Sequence, residues 1–130
     1  MIISFSTTIK LASELGKPEP LSAGIKTVTR RLWSPKTHAQ VLKAYEAGKR
    51  THQAWSNCSF VKGAYCLGSI ELSQTPYYEK LEDMPDEDVY CEGDLWSTKE
   101  DFIKVLDCSP QPIVSVIRFQ FSGKLSTPIN

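Results

Sequence analysis

Apolar and polar residues alternate in several segments of the chain, which is the pattern of β-strands with one buried face. The last of these segments, 113–121, has apolar residues at every odd position except Ser115, and this predicts a strand with one apolar face. The fourth segment contains an interior Gly68, which predicts a β-bulge or a close approach by another backbone. The predicted strands cover 2–7, 27–33, 52–56, 64–73 and 113–121.

Helical spacing of apolar residues, together with start and stop signals, predicts three helices. Ser34 and Pro35 suit the N-cap and the first helical position of one helix, and Gly48 suits its C-cap. Ser97 and Glu100 fit the capping-box pattern that opens another helix. The predicted helices cover 9–15, 35–47 and 97–106.

The order of these elements and the chain length predict one α+β domain over residues 1–130. Its expected architecture is a small, mostly antiparallel β-barrel flanked by helices. With 41% hydrophobic and 23% charged residues, the composition is that of an ordinary globular protein. No apolar run approaches the ~20 residues of a membrane span, and residues 1–5 lack the features of a signal peptide. We therefore expect a cytoplasmic protein without a membrane partner.

Charge is divided unevenly along a chain whose formal net charge is zero. Residues 1–62 carry ten Lys and Arg against three Asp and Glu, which gives +7, whereas residues 63–130 carry five against twelve, which gives −7. A basic half can form a patch that binds a polyanion such as RNA, because the field at a surface depends on charges within a Debye length of ~10 Å. Folding can also interleave the two halves, in which case the asymmetry describes only solvated faces.

Side chains suited to binding or catalysis are concentrated in one run, 23–33. This run has a turn glycine, Gly24, near its start and continues into β-branched residues. The run holds cations, hydroxyls and an indole, which are groups that bind phosphate, ribose or a base. In a regular strand Lys26 and Arg30 lie on one face, and Thr29 and Arg31 lie on the other. The alternative interpretation is an edge strand that its charges protect from aggregation.

Metal-binding spacings do not occur in the sequence. The cysteines stand at wide, irregular intervals without a C-x-x-C pair, which favours free and mostly buried thiols. They are Cys58, Cys66, Cys91 and Cys108. His38 and His52 have no carboxylate at a ligand-like spacing, and the acidic segment 79–94 lacks the residue order of a calcium loop. We therefore expect neither a metal nor a cofactor, and most of these carboxylates should face solvent.

One carboxylate differs from its acidic neighbours. Glu92 follows an apolar segment, 89–91, and precedes Gly93. This order predicts that Glu92 lies at the end of a short helix that fixes its side chain.

Two motifs in the chain are similar to those of a known family. The first is G-x-K-T-x-T-x-R, which starts at Gly24 and is followed by Trp33. The second is the Glu92-Gly93 pair before a helix that opens with W-S-x-x-E-x-F at Trp96. Together they resemble the ASCH domain, a branch of the PUA-like β-barrel superfamily, over most of the chain. The resemblance implies a PUA-like barrel whose cleft binds RNA or a nucleoside-like ligand. Some bacterial members of that family remove the acetyl group from N-acetylated cytidine, and others are described as ribonucleases.

The resemblance implies that Lys26, Thr29 and Glu92 are catalytic in an amidohydrolase. A buried lysine can act as a base that activates a hydroxyl, and a carboxylate can orient that lysine or shuttle a proton. Since positions three apart on a regular strand face opposite ways, Lys26 and Thr29 can meet only if Lys26 belongs to the preceding turn or the strand is bulged. The rival functions are a non-catalytic RNA-binding module and a ribonuclease. The expected ligand-binding residues are Thr27, Arg30, Arg31, Trp33 and Trp55.

Overall fold

The computed structural model describes residues 1–106 and 113–123. The fold is α+β, in which a curled mixed sheet of six strands forms a half-barrel flanked by helices. The strands are β1 (Ile2–Ser4), β2 (Val28–Arg31), β3 (Thr51–Trp55), β4 (Cys66–Leu72), β5 (Tyr77–Lys80) and β6 (Ile113–Gly123). The helices are α1 (Ser6–Glu14), α2 (Pro35–Glu46), α3 (Asp88–Cys91) and α4 (Lys99–Leu106), with a 3₁₀ turn at Leu81–Asp83.

The sheet is organised around β6. The strand order is β1-β3-β4-β6-β2, and β5 also pairs with β6. Only β1 and β3 are parallel among the described strand pairs, so the sheet is mostly antiparallel, as the sequence predicts. Both β2 and β5 pair with residues 115 and 116, and they therefore lie on opposite edges of β6.

Two hydrophobic clusters cover the two faces of β6. Ile117 and Phe119 belong to the first cluster, which also contains the buried side chains of β1, β3 and β4. Val114 and Val116 point the other way and belong to the second cluster, which contains Phe102 of α4. Each fully buried side chain of this kind contributes about 1.5–3 kcal/mol. The strand predicted at 113–121 is confirmed, but both of its faces are apolar where the sequence suggests one.

Capping residues explain where two of the helices begin and end. Ser34 Oγ accepts a hydrogen bond from the Thr37 amide at 3.2 Å, so the predicted start of α2 is confirmed. The C-cap is Ala47, one residue before the predicted Gly48, which follows with φ +88°. In α4 the cap is Thr98, whose Oγ1 accepts from the Asp101 amide at 3.1 Å. The N-cap is therefore Thr98 and not the predicted Ser97.

The predicted first strand is too long. β1 ends at Ser4, and α1 already begins at Ser6, where the sequence pattern favours an extended chain to residue 7. The three residues after Phe5 are short and hydroxylated, and they fit the start of a helix as well as a strand. Thr8 and Ala12, one helical turn apart, are the buried positions of that face.

Other details of the sheet also depart from the sequence pattern. The bulge predicted at Gly68 is confirmed, because Ala54 pairs with Gly68 whereas Trp55 pairs with Cys66, and the register shifts between them. The segment after Pro76 forms β5, a strand that the sequence pattern does not predict. Pairing with β6 decides its conformation, and this pairing has no local sequence signal.

The cysteines are less buried than expected. Cys58 is exposed, and Cys66 and Cys91 are partly exposed, although all three are free thiols. Cys108 lies outside the described residues.

The loop between β3 and β4 is open to solvent, with Phe60 89% exposed. Within the described ranges, no helix combines the length and the apolar character that crossing a membrane requires.

Candidate functional site

A cavity of about 230 Å³ lies where β2, α1, α4 and the residue after α3 meet. Its polar wall is formed by Lys26, Thr29, Arg30, Arg31 and Glu92, together with Ser4 and the first turn of α1. Its apolar wall includes Trp96, Phe102, Val105 and Leu32. The three residues expected to be catalytic therefore line one cavity.

Lys26 reaches this cavity from a turn and not from the strand. Gly24 has φ +76°, a conformation that favours glycine, and the amide of Lys26 donates to the carbonyl of Pro20 at 3.1 Å. β2 begins only at Val28. Lys26 is thus free of the strand alternation that would separate it from Thr29, and both side chains are buried against the cavity, at 2% and 3% exposure.

Lys26 is held by Glu92 through two contacts. Its Nζ donates to Glu92 Oε1 at 2.9 Å and to the Glu92 main-chain oxygen at 2.9 Å. Burial lowers the pKa of Lys26 below its usual 10.5, Glu92 opposes this shift, and the nearby Arg31 and Arg30 charges add to it. The structure therefore favours the neutral amine more than water does.

Glu92 occupies the place predicted for it, the residue that ends the short helix α3. Its amide donates to the Asp88 carbonyl at 2.8 Å, and the amide of Thr27 donates to the Cys91 carbonyl at 2.9 Å. Gly93 follows with φ +141°, and a Cβ there would lie 3.3 Å from the Pro20 ring. These contacts fasten the end of α3 to the turn that carries Lys26.

Arg30 binds three carboxylates with one guanidinium. Its Nε donates to Glu79 Oε1 at 2.8 Å, its Nη1 donates to Glu92 Oε2 at 2.9 Å, and its Nη2 donates to Asp88 Oδ2. Burial alone would lower the pKa of Arg30, but these carboxylates raise it above its usual value. Arg30 stays charged and fixes the carboxylate that binds Lys26.

Asp88 extends the network to β6. Arg118 Nη2 donates to Asp88 Oδ2 at 2.6 Å, and Arg118 Nε donates to the Tyr77 hydroxyl at 3.1 Å. Burial would raise the pKa of Asp88, but hydrogen bonds from Arg118 and Arg30 lower it. Asp88 is only 3% exposed, and it is therefore an exception in an acidic segment whose carboxylates mostly face solvent, as predicted.

The charges of this network cancel. It contains three cations, Lys26, Arg30 and Arg118, and three carboxylates, Glu79, Asp88 and Glu92. Two of the cations come from the basic half of the sequence, and all of the carboxylates come from the acidic half. The two halves are therefore interleaved at this site.

Arg31 lies outside the network. Its Nε donates to Thr29 Oγ1 at 3.0 Å, and its guanidinium carbon lies 4.8 Å from the centre of the Phe5 ring. Among the residues that the structure describes, no carboxylate forms a salt bridge with Arg31. Burial lowers the pKa of Arg31 to about 10, although Glu92 opposes the shift.

Three of the expected ligand-binding side chains do not line the cavity. Trp33 packs against the first hydrophobic cluster, and the Trp55 indole donates to Gln53 Oε1 at 2.8 Å. Thr27 takes part through its backbone. Arg30 and Arg31 do line the cavity.

Sequence reasoning missed the carboxylates that surround Arg30 and the aromatic residue of the cavity wall. Glu79 and Asp88 belong to an acidic segment in which nothing local distinguishes a buried carboxylate from a solvated one. Trp96 is different, because it belongs to the motif that carries the family resemblance and precedes α4. Its position before an amphipathic helix could have marked it as part of the site.

A scan against models of protein families gave no match, and neither did searches of curated proteins and of solved structures. Over the described ranges, His, Cys, Asp and Glu form no group of three or more that could hold a metal ion.

Proposed function

We propose that the chain is an ASCH-type domain that hydrolyses the amide of an acylated nucleoside such as N4-acetylcytidine. The observation that carries this proposal is that Lys26, Thr29 and Glu92 line one cavity, with Lys26 bound to Glu92. A hydroxyl, an amine with a lowered pKa and a fixed carboxylate are a nucleophile, its base and the group that orients the base. The sequence motifs that resemble the ASCH domain contain these same three residues.

The cavity has the dimensions and the walls for one small ligand. Its volume of about 230 Å³ is slightly below the ≈ 300–1,000 Å³ of typical ligand pockets. A ring can pack against Trp96 and Phe102, which meet edge to face at 4.8 Å between ring centres. The scissile amide then faces the polar wall.

The reaction follows in two stages. In the first, neutral Lys26 accepts the hydroxyl proton of Thr29, and Thr29 Oγ bonds to the acyl carbon of the substrate. Lys26 then gives that proton to the leaving amine, the C–N bond breaks, and the acyl group remains as an ester on Thr29. In the second stage Lys26 takes a proton from water and the hydroxide bonds to the acyl carbon. The ester bond to Thr29 Oγ then breaks, Lys26 gives its proton to that oxygen, and the carboxylic acid leaves.

Glu92 and Arg30 position the base. The two hydrogen bonds from Lys26 to Glu92 fix Nζ, and Arg30 on Oε2 holds the carboxylate in place. Arg31, hydrogen-bonded to Thr29 Oγ1, lies where it can stabilise the negative charge that develops on the attacked carbonyl oxygen. These roles assign one task to each polar side chain of the wall.

Charge pairing weighs against the rival RNA-binding module. A protein that follows an RNA backbone needs several unpaired cations, since each phosphate contact displaces counterions. Lys26 and Arg30 are neutralised by buried carboxylates, and only Arg31 among the described cavity-lining cations has no acidic partner. A small ligand fits this balance better than a polyanion does.

The experiment is incubation of N4-acetylcytidine with purified protein, with cytidine and acetate measured by liquid chromatography and mass spectrometry. We expect turnover by the wild type and a kcat at least about 100-fold lower for Lys26→Met and for Thr29→Val. A covalent acetyl group on the Thr29 peptide after rapid quenching would identify the intermediate.

Matched controls come from exposed residues outside the cavity. Lys10→Met and Thr51→Val make the same chemical changes at exposed positions and should keep wild-type turnover. Circular dichroism and thermal unfolding establish that each variant is folded. Wild-type rates in Lys26→Met would overturn the assignment of the base. If the folded wild type is inactive but binds RNA with a steep salt dependence, the non-catalytic module is correct.

A further inference from the structure

Arg31 is a cation that lacks a counter-ion in the described structure. Only its Nε is hydrogen-bonded, to Thr29 Oγ1 at 3.0 Å, and its Nη atoms have no partner among the described residues. The other cations of the polar wall, Lys26 and Arg30, each bind at least one carboxylate. Arg31 is partly exposed and no carboxylate among the described residues pairs with it, so its Nη groups are available to an anion that enters the cavity. The ligand is the available source of that anion.

Other hydrogen-bond donors face the same cavity. Thr29 is 3% exposed, and its hydroxyl accepts from Arg31, so its own hydrogen remains for an acceptor in the cavity. The first turn of α1, residues 6–8, also lines the cavity. This turn has no acidic residue, and the amides of Thr7 and Thr8 have no acceptor in the described part of the chain.

The charge balance selects the kind of anion. When Lys26 is protonated, the three cations and three carboxylates of the network that includes Arg30 cancel, so the site has one unpaired positive charge, that of Arg31. A monoanion neutralises this charge, whereas a phosphate dianion would leave negative charge in a cavity with an apolar wall. A guanidinium and a carboxylate also match in geometry, because two N–H groups meet two oxygens.

We propose that Arg31, the Thr29 hydroxyl and the first turn of α1 form a subsite for a small carboxylate. The identity of this carboxylate rests on the proposed function, in which it is the acetate released when the acyl group leaves Thr29. Product acetate then occupies the place where the acyl group reacts, and free acetate competes with substrate. The short distance from Arg31 to Thr29 explains why one pocket serves both the reacting carbonyl and the product.

Binding of sodium acetate, followed by NMR or calorimetry at constant ionic strength with sodium chloride as the background salt, tests the subsite without requiring turnover. We expect acetate to bind the wild type and to bind Arg31→Met at least about 10-fold more weakly, which is 1.4 kcal/mol. Arg50→Met is the matched control. Its guanidinium also stacks on an aromatic ring, Tyr45 at 4.0 Å, but Arg50 does not line the cavity, and acetate binding should be unchanged.

A second variant tests the part played by α1 and cannot be explained by unfolding. Thr7→Glu puts a carboxylate on the exposed first turn of α1, where it interacts favourably with the helix dipole and should not destabilise the protein. The same carboxylate occupies or repels the anion site. We therefore expect unchanged or higher thermal stability together with loss of acetate binding.

The outcomes separate this inference from the proposed function. Acetate binding that is lost in Arg31→Met, with competitive inhibition of hydrolysis, supports both. Acetate binding with the same dependence on Arg31 but no hydrolysis supports the subsite and overturns the reaction. Hydrolysis without acetate binding, equal acetate binding by Arg31→Met, or tighter binding of inorganic phosphate than of acetate each overturns the carboxylate subsite.

Discussion

Lys26 donates hydrogen bonds to both the carboxylate and the main-chain oxygen of Glu92, at 2.9 Å in each case. The two residues are 66 positions apart in sequence and each is 2% exposed. The carboxylate contact fixes the lysine in the cavity, and the main-chain contact makes its position depend on the end of α3. The pair is therefore part of the proposed active site and also a tertiary contact between two segments that are distant in sequence.

Replacing either residue of this pair should lower the free energy of unfolding. Replacing both should lower it by less than the two single losses added together. Glu92→Gln removes the charge that balances buried Lys26, and we expect a loss of about 3–5 kcal/mol in the free energy of unfolding. Lys26→Met should cost less, because Arg30 still binds Glu92. In the double variant neither charge is buried alone, so urea unfolding at pH 7 should give a coupling free energy of about 1–3 kcal/mol.

Two exposed side chains that form no salt bridge in the described structure provide the control for this cycle. Lys10→Met and Glu82→Gln should each change stability by less than about 0.5 kcal/mol and should combine additively. Additive losses at Lys26 and Glu92 would contradict the ion pair.

Asp88 should contribute to stability in acid. Hydrogen bonds from Arg118 and Arg30 lower its pKa below the 3.8 of the unfolded chain, despite burial, which raises it. A lowered carboxyl pKa gives stability that is present above pH 3.8 and is lost as the pH falls through the folded-state pKa. Asp88→Asn should therefore destabilise the protein at pH 7, by about 3 kcal/mol, and much less at pH 2.

The measurement is urea unfolding of both proteins across that pH range. Asp86→Asn, at an exposed position of the same segment, is the control and should have little effect at any pH. A difference between wild type and Asp88→Asn that stays constant down to pH 2 would contradict the paired state of Asp88.

The rate of the proposed hydrolysis should increase with pH. Activity rises as Lys26 loses its proton, at a pKa that burial lowers from 10.5. The Arg31 charge also lowers the pKa of Lys26, so in Arg31→Met this rise should move to higher pH. The rate of that variant should also be lower, as measured by kcat/KM for N4-acetylcytidine. A rate that decreases steadily from pH 7 to 9 would be incompatible with Lys26 as the base.

His52 should make the protein less stable below pH 6.5. Its ring, 6% exposed in β3, has no hydrogen-bond partner on either nitrogen within the described structure. Burial, and secondarily the amino terminus, lowers its pKa below the 6.5 of the unfolded chain, so the unfolded chain binds more protons as the pH falls. Stability is then lost as the pH falls below 6.5.

Replacement of this ring by an apolar side chain should remove the effect. We expect His52→Leu to raise the free energy of unfolding at pH 7 by about 1 kcal/mol, because an unsatisfied polar group no longer has to be buried. The decrease between pH 7 and 5 should also become smaller. It should not vanish, since burial also lowers the pKa of His38, whose Nδ1 lies 2.7 Å from Ser115 Oγ. An unchanged slope in His52→Leu would contradict the assignment.

Local signals in the sequence predicted the features that local physics determines. Ser34 and Gly48 define the ends of α2 because a cap and a left-handed residue act within one turn. Glu92 could be distinguished from its neighbours because an apolar segment and a glycine surround it. The turn at Gly24 likewise places Lys26 before the strand.

Long-range partners could not be predicted in this way. Arg30 and Asp88 are 58 positions apart, and Asp88 is chemically the same as the solvated acids beside it. β5 exists because β6 pairs with it, and the hydroxyl-rich start of α1 fits two periodicities until tertiary packing selects one. No local pattern predicts that carboxylates from the acidic half of the sequence neutralise Lys26 and Arg30.

The division of the charged network between the two halves of the chain makes this protein a candidate for fragment complementation. A cut in the exposed loop between β3 and β4 leaves Lys26 and Arg30 on one fragment and their carboxylates on the other. Apart from the pair of Arg118 and Asp88, neither fragment can neutralise its buried charges alone, yet the two fragments attract each other. Recovery of acetate binding after the two fragments are mixed would then show that they have associated.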